Sequence, residues 1–150
     1  MQQDAIALRS LVEASGVAAE VEESALGEVV RVVPDAVVDA LIGLKQAGFE
    51  SLVDLFGCDT GEAIDLVYHL RSYAAARDAY VKTTLPYDAE IPSVWNVYPS
   101  ALMPERETAE LLGLHLAGHP NPKRLLTTDG IGPLLRKNMP VRTVEEVKRR

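Results

Sequence analysis

The sequence predicts an α+β domain, with helices packed on one mostly antiparallel sheet and an extended C-terminal tail. Three observations carry that expectation. Short runs of strand-like alternation are interleaved with runs of helical apolar spacing. The last three strand-like runs follow one another with only short connections, which favours an antiparallel meander. From Gly118 onward the chain holds several Pro and Gly residues and little periodicity. These observations divide the chain into a body at residues 1–117 and a tail at residues 118–150.

Ala5 to Ala14 reads as a short helix, with Ile6, Leu8, Leu11 and Val12 near helical spacing and Ser15-Gly16 ending the run. Val17 to Glu23 alternates as a strand, and Ser24 to Gly27 supplies a turn. The β-branched run Glu28 to Val33 is its pairing strand. Pro34-Asp35 opens a second helix whose apolar face is Val37, Val38, Leu41, Ile42 and Leu44, and Gly48 closes it. Phe49 to Gly57, Ala63 to Tyr73 and Ala79 to Thr84 are the three meander strands. Pro86, Pro92 and Pro99 then make the chain irregular up to about residue 100. Trp95, Val97 and Tyr98 in that stretch are expected to pack on something. A third helix runs from about Pro104 to Leu112, and Gly113 stops it.

Composition narrows the function classes. The apolar share is 47% and the charged share 25%, as in globular domains. With one Cys, Cys58, no disulfide within the chain and no thiolate-built cluster is available. Cys58 is expected to be a partly buried structural thiol, and His69 an ordinary strand residue. The N-terminus shows no basic and apolar leader, and no apolar run reaches the roughly 18 residues of a membrane span. Residues 1–117 hold 7 basic and 19 acidic side chains, whereas residues 118–150 hold 8 basic and 3 acidic ones. An acidic body disfavours nucleic-acid binding. The basic tail suits an acidic partner or the chain's own body.

Residues 105–126 carry the most information. Glu105 and Glu107 fall near the positive end of the third helix, and Arg106 and Glu110, four apart, are placed to pair. One reading makes Glu105, Glu107 and Glu110, with His115 and His119, a carboxylate and imidazole cluster for metal or acid–base chemistry. A second makes the segment an ordinary helix of a generic adaptor. A third rests on resemblance.

The residues Glu105-Arg106-Glu107, Glu110, Leu111-Leu112, His119, Lys123 and Leu125-Leu126 match in order and spacing a family signature. The family they resemble is the thirty-kilodalton subunit family of respiratory complex I, whose members are the C subunit in bacteria and the J subunit in chloroplasts. Residues 49–54, Ile64 to Tyr73, Val81-Lys82-Thr83 and Ile91-Pro92-Ser93-Val94 resemble further parts of it. So does Pro133-Leu134-Leu135-Arg136-Lys137, and the likeness covers about residues 28–138. The chain departs in having Met103-Pro104 before the signature, Glu110 for the usual Asp, and Gly130-Ile131-Gly132 where a Trp is usual.

The resemblance implies a non-catalytic structural member of the peripheral arm of an NADH:quinone oxidoreductase (complex I). It implies no catalytic residue, no metal and no cofactor in this chain; NADH, flavin, iron–sulfur clusters and quinone belong to sister subunits. It implies packing against the large subunit of the forty-nine-kilodalton type and near a ferredoxin-like subunit, on the cytoplasmic side of the inner (plasma) membrane. Glu105, Arg106, Glu107, Glu110, His119 and Lys123 are its signature and interface residues. The equivalent subunit of a membrane-bound hydrogenase or F420-linked dehydrogenase shares the same module.

Overall fold

The computed structural model describes residues 7–140. The expected position Ile6 and residues 141–150 of the tail lie outside that range. Helix α1 (Leu8–Glu13) precedes β1 (Glu20–Ser24) and β2 (Gly27–Arg31), and a 3-10 turn at Pro34–Ala36 leads into α2 (Val37–Gln46). Strands β3 (Ser51–Asp59), β4 (Ile64–Ser72) and β5 (Arg77–Leu85) follow. Then come β6 (Glu90–Pro92), a second 3-10 turn (Pro99–Ala101), α3 (Leu102–Leu112) and β7 (His115–Ala117).

The main sheet has the order β1-β2-β5-β4-β3. The hairpin β1–β2 and the meander β3–β4–β5 are antiparallel, and β2 joins β5 in parallel. The α+β expectation therefore holds. Alternation explains why: in β4, Ile64, Leu66, Tyr68 and Leu70 point into the core while the residues between them are half-exposed. Helix α2 places Val37, Ala40, Leu41 and Leu44 in the same core. The other face of the sheet carries paired charges instead. Lys82 Nζ lies 3.2 Å from Glu22 and 3.0 Å from Asp65, and Arg31 lies 2.7 Å from Glu22.

Strand β3 is an edge of the sheet and carries a bulge between Leu52 and Asp54. At the bulge the Asp54 carboxylate accepts the Leu55 N–H at 2.8 Å, and the Ser100 hydroxyl donates to the Leu52 carbonyl at 3.1 Å. Cys58 is exposed on this strand rather than partly buried, because the register turns its neighbours Gly57 and Asp59 toward the core side. His69 is a β4 residue bonded to Asp78 at 2.9 Å and stacked on Tyr80.

The Pro-rich stretch is more ordered than its sequence suggests. Residues 90–92 pair in parallel with 115–117 to make a separate two-stranded sheet, which no periodicity announces. Val97 and Tyr98 are buried, and the Tyr98 hydroxyl donates to the Phe49 carbonyl at 2.7 Å. Lys45 from α2 donates to the Val97 carbonyl. The loop thus packs on its own body and sets the entry of α3.

Candidate functional site

Helix α3 begins two residues before Pro104, with Pro104 in its first turn, where a missing N–H costs nothing. Glu105, Thr108, Ala109 and Leu112 recur at three- and four-residue spacing and form the buried face. That face lies on β3 at its Gly57. Gly113 ends the helix in the left-handed region, at φ +76°.

Glu105 is 2% exposed, an unusual position for a carboxylate. It accepts the Ser93 hydroxyl at 2.5 Å and the Val94 N–H at 2.7 Å, and His119 Nε2 lies 3.8 Å away. Burial pushes the Glu105 carboxyl above its usual range, opposed by those two hydrogen bonds and by His119. His119 is itself buried. Its Nε2 donates to the Leu102 carbonyl at 2.9 Å, and its Nδ1 accepts the Asn121 N–H at 3.0 Å, which fixes the tautomer. Together the two residues join the 93–98 loop, the start of α3 and the start of the tail.

Arg106 and Glu110 do not form the i,i+4 pair that their spacing suggests. Both turn to the tail backbone. Arg106 donates from Nε and Nη2 to the carbonyls of Lys123 and Arg124, each at 2.8 Å. Glu110 accepts the N–H groups of Leu125, Leu126 and Thr127 at 2.8, 2.9 and 2.5 Å, and the Thr127 hydroxyl as well. The Thr127 hydroxyl and the three amides hold the Glu110 carboxyl down at about 2. One turn of helix therefore reads both polarities of a single stretch of main chain: carbonyls at 123–124, amides at 125–127. That geometry suits an arginine and a carboxylate better than their mutual contact, because exposed i,i+4 pairs contribute only a few tenths of a kcal/mol. Lys123 takes part through its carbonyl, and its side chain is exposed, as is Glu107.

A second clasp follows, one that spacing alone does not reveal. Arg136 donates to the carbonyls of Leu112 and Gly113 at 2.7 and 3.1 Å, capping the end of α3, and it bonds Asp88 at 2.9 Å. Its guanidinium lies over the Tyr87 ring at 4.9 Å. Leu135 N–H bonds the Leu111 carbonyl, and Lys137 N–H bonds the buried Asp59 carboxylate. Asp59 also accepts the Tyr87 hydroxyl at 2.6 Å and the Gly61 N–H, which lower its pKa. Asp59, Tyr87 and Asp88 have no signal in the sequence; Arg136 stands in the 133–137 segment that resembles the family.

The arrangement positions backbone rather than reactive groups. Glu105 and His119 come together, but Glu107 and His115 point to solvent and Glu110 has its oxygens occupied by amides. Among the described residues, no group of three or more His, Cys, Asp or Glu side chains is disposed to hold a metal ion. No helix among them is long and apolar enough to cross a membrane.

The family model for the 30 kDa subunit of respiratory-chain NADH dehydrogenase matches residues 30–145. The chain belongs to this family. Its curated relatives include the NADH-quinone oxidoreductase C subunit of Phenylobacterium zucineum, 41% identical over 105 residues, which are 67% of this chain and 50% of that protein. The corresponding protein of Methylobacterium sp. is 38% identical over 122 residues, 77% of this chain and 57% of that protein. The chain thus spans about half the length of these curated relatives. A likeness in three dimensions is found in the membrane-bound sulfane sulfur reductase, an archaeal respiratory membrane complex. The TM-score is 0.75 and the identity 26%, over 95% of this chain and 87% of that one.

Proposed function

We propose that the chain is a non-catalytic structural subunit in the peripheral arm of an NADH:quinone oxidoreductase. In this reading electrons pass from NADH to quinone through flavin and iron–sulfur clusters held by sister subunits. The chain packs against the large subunit of the forty-nine-kilodalton type and near a ferredoxin-like subunit, on the cytoplasmic side of the inner membrane. Residues 1–117 form the body, and residues 118–150 the arm that meets the neighbour. Glu105, Arg106, Glu107, Glu110, His119 and Lys123 serve as the elements that shape this interface.

The observation that carries the reading is the use made of the signature. Glu105, Arg106, Glu110 and His119 bind main chain and the hydroxyls of Ser93 and Thr127; Arg106, Glu110 and His119 fix the path of the tail, and Glu105 holds the 93–94 loop. Residues used this way build a surface, and electrostatic or proton-transfer chemistry would need groups aimed at a ligand. Family membership supports this choice of assembly. Purification of the tagged chain from detergent-solubilised membranes tests it: the large subunit and an NADH-oxidising flavoprotein should accompany the chain. Recovery of the chain as a free monomer would overturn the reading.

A second reading has one observation in its favour. The archaeal complex supplies a chain that this one covers to 87%, against 50% and 57% for the two curated relatives. It makes the chain the equivalent subunit of a membrane-bound hydrogenase-like or F420-linked assembly. The donor-oxidising protein that accompanies the tagged chain separates the two readings.

A further inference from the structure

We propose that the free edge of β1 takes up an extended segment of a partner protein as a further antiparallel strand, and that this segment carries a basic, a polar, an apolar and a second basic residue in succession. The proposal does not depend on the assembly reading. Strand β1 ends the main sheet and has β2 on one side only. Its register with β2 runs unbroken from Glu20↔Arg31 to Ser24↔Gly27. The other edge differs: a bulge interrupts β3, and Asp54 and Ser100 occupy main-chain groups there.

Which main-chain groups of β1 are free follows from one bond on the far side of β2. The Val32 N–H bonds the Lys82 carbonyl of β5 at 3.0 Å. Main-chain groups alternate sides along a strand, so those of Val30 also face β5 and those of Val29 and Arg31 face β1. Through the register, Glu22 and Glu20 are the residues that bond to them. The N–H and C=O of Val21 and Glu23 therefore point away from the sheet, and no hydrogen bond from another described residue reaches them. Two donors and two acceptors stand in line there, the pattern that an added strand satisfies.

Side chains select the occupant. On the core side of the sheet Val30 is fully buried, whereas its partner Val21 is 41% exposed. An apolar side chain opposite Val21 extends that core layer by one strand. In the neighbouring row Glu23 lies directly opposite Glu28, and neither makes an ion pair among the described residues. Like charges placed so destabilise a hairpin, and a Lys or Arg opposite Glu23 on the added strand relieves the repulsion. On the outer face Glu22 is already held by Arg31 and Lys82, so its opposite number need only be polar. Glu20 makes no ion pair among the described residues and takes the second cation. Antiparallel addition sets residues directly opposite one another, which fixes the order as Lys or Arg, polar, apolar, Lys or Arg. A second copy of β1 would bring its own Glu20, Glu22 and Glu23 to this edge, so charge selects a different chain.

The test uses the full chain and the capped peptide Thr-Lys-Thr-Val-Lys-Val, with amide hydrogen exchange read residue by residue. Without peptide, the amides of Val21 and Glu23 should exchange fast and that of Glu22 slowly. At saturating peptide, exchange at Val21 and Glu23 should slow at least about tenfold, with Glu22 and the β3 amides unchanged. The same peptide with Glu for each Lys should protect neither. The E20K/E23K variant should reverse that preference, binding the glutamate peptide and losing the lysine peptide. Val21→Pro removes an outward N–H that the sheet does not use, so it should keep the fold and lose the peptide. No protection by the lysine peptide up to its solubility limit overturns the proposal. Equal protection by both peptides, or protection confined to β3, overturns it as well. Sedimentation showing that the chain by itself is a dimer, with Val21 and Glu23 already slow, would assign the edge to a second copy and overturn the choice of occupant. Each of these results leaves the assembly reading intact, because that reading is tested by what purifies with the tagged chain.

Discussion

Gly57 of β3 and Leu112 of α3 meet with no room for a side chain between them. A Cβ on Gly57 would lie 2.4 Å from Leu112 Cδ1 and 2.9 Å from Leu66 Cδ2. The helix can sit this low on the sheet only because the strand lacks a side chain there. Gly57→Ala should therefore destabilise the fold by about 1–3 kcal/mol through overpacking. Urea unfolding measures it, and the double variant Gly57→Ala/Leu112→Ala should lose less than the sum of the two single losses, because the alanine at 57 fills part of the space that the leucine leaves. An unchanged midpoint in the single variant would show that the helix can rise without cost.

Glu110 makes a prediction that separates tail from body. Its carboxyl is held at about 2, below its usual 4.5, by the Thr127 hydroxyl first and the tail amides after it. A lowered folded pKa gives stabilisation that is complete above the unfolded value and lost as pH falls through the folded one. The tail should thus stay pinned at neutral pH and loosen only between about pH 4.5 and 2. Glu110→Gln should raise hydrogen exchange at the amides of Leu125, Leu126 and Thr127 at neutral pH while leaving those of β4 unchanged. Equal protection in variant and wild type would refute the pinning.

Glu105 carries the opposite sign. Burial raises its pKa, so its contribution is complete below the unfolded value and is lost as pH rises through the folded one. Glu105→Gln removes that pH dependence and keeps an acceptor for the Val94 amide. The variant should lose less stability than the wild type between pH 4.5 and pH 7.5, read from urea midpoints at both. Glu105→Ala, by contrast, strips the Ser93 hydroxyl and Val94 amide of their acceptor and should cost about 3 kcal/mol. Parallel pH profiles for wild type and the glutamine variant would rule this out.

Thr83 offers a gain. Its hydroxyl is buried on β5 and has no hydrogen-bond partner among the described residues. Thr83→Val keeps the shape and removes a polar group that water would have solvated, so it should stabilise by about 1 kcal/mol. A lower melting temperature for the valine variant would mean that the hydroxyl has a partner after all.

Much of this fold is legible in the sequence, and the misses share a cause. The β4 and β5 alternation and the α2 face are local patterns, and they lead directly to the meander and its helix. Strand β7 is three residues long and pairs in parallel with a partner that contains Pro92, so neither length nor period announces it. Arg106 and Glu110 are four apart and satisfy the helix pairing rule, yet tail backbone from 123–127 outcompetes that contact. The rule sees only the helix. Asp59 and Arg136 are far apart along the chain and meet only around Tyr87. The signature from Glu105 to Leu126 is legible as a pattern, but its physical content is a set of tertiary hydrogen bonds.

The bulged β3 edge has a consequence for how readily a further strand can add to the sheet. An unblocked edge strand is a template on which a second chain can add in register. Asp54 and Ser100 occupy the Leu55 amide and the Leu52 carbonyl, and the bulge breaks the ladder beside them. Addition of a second strand along this part of the edge is thereby disfavoured.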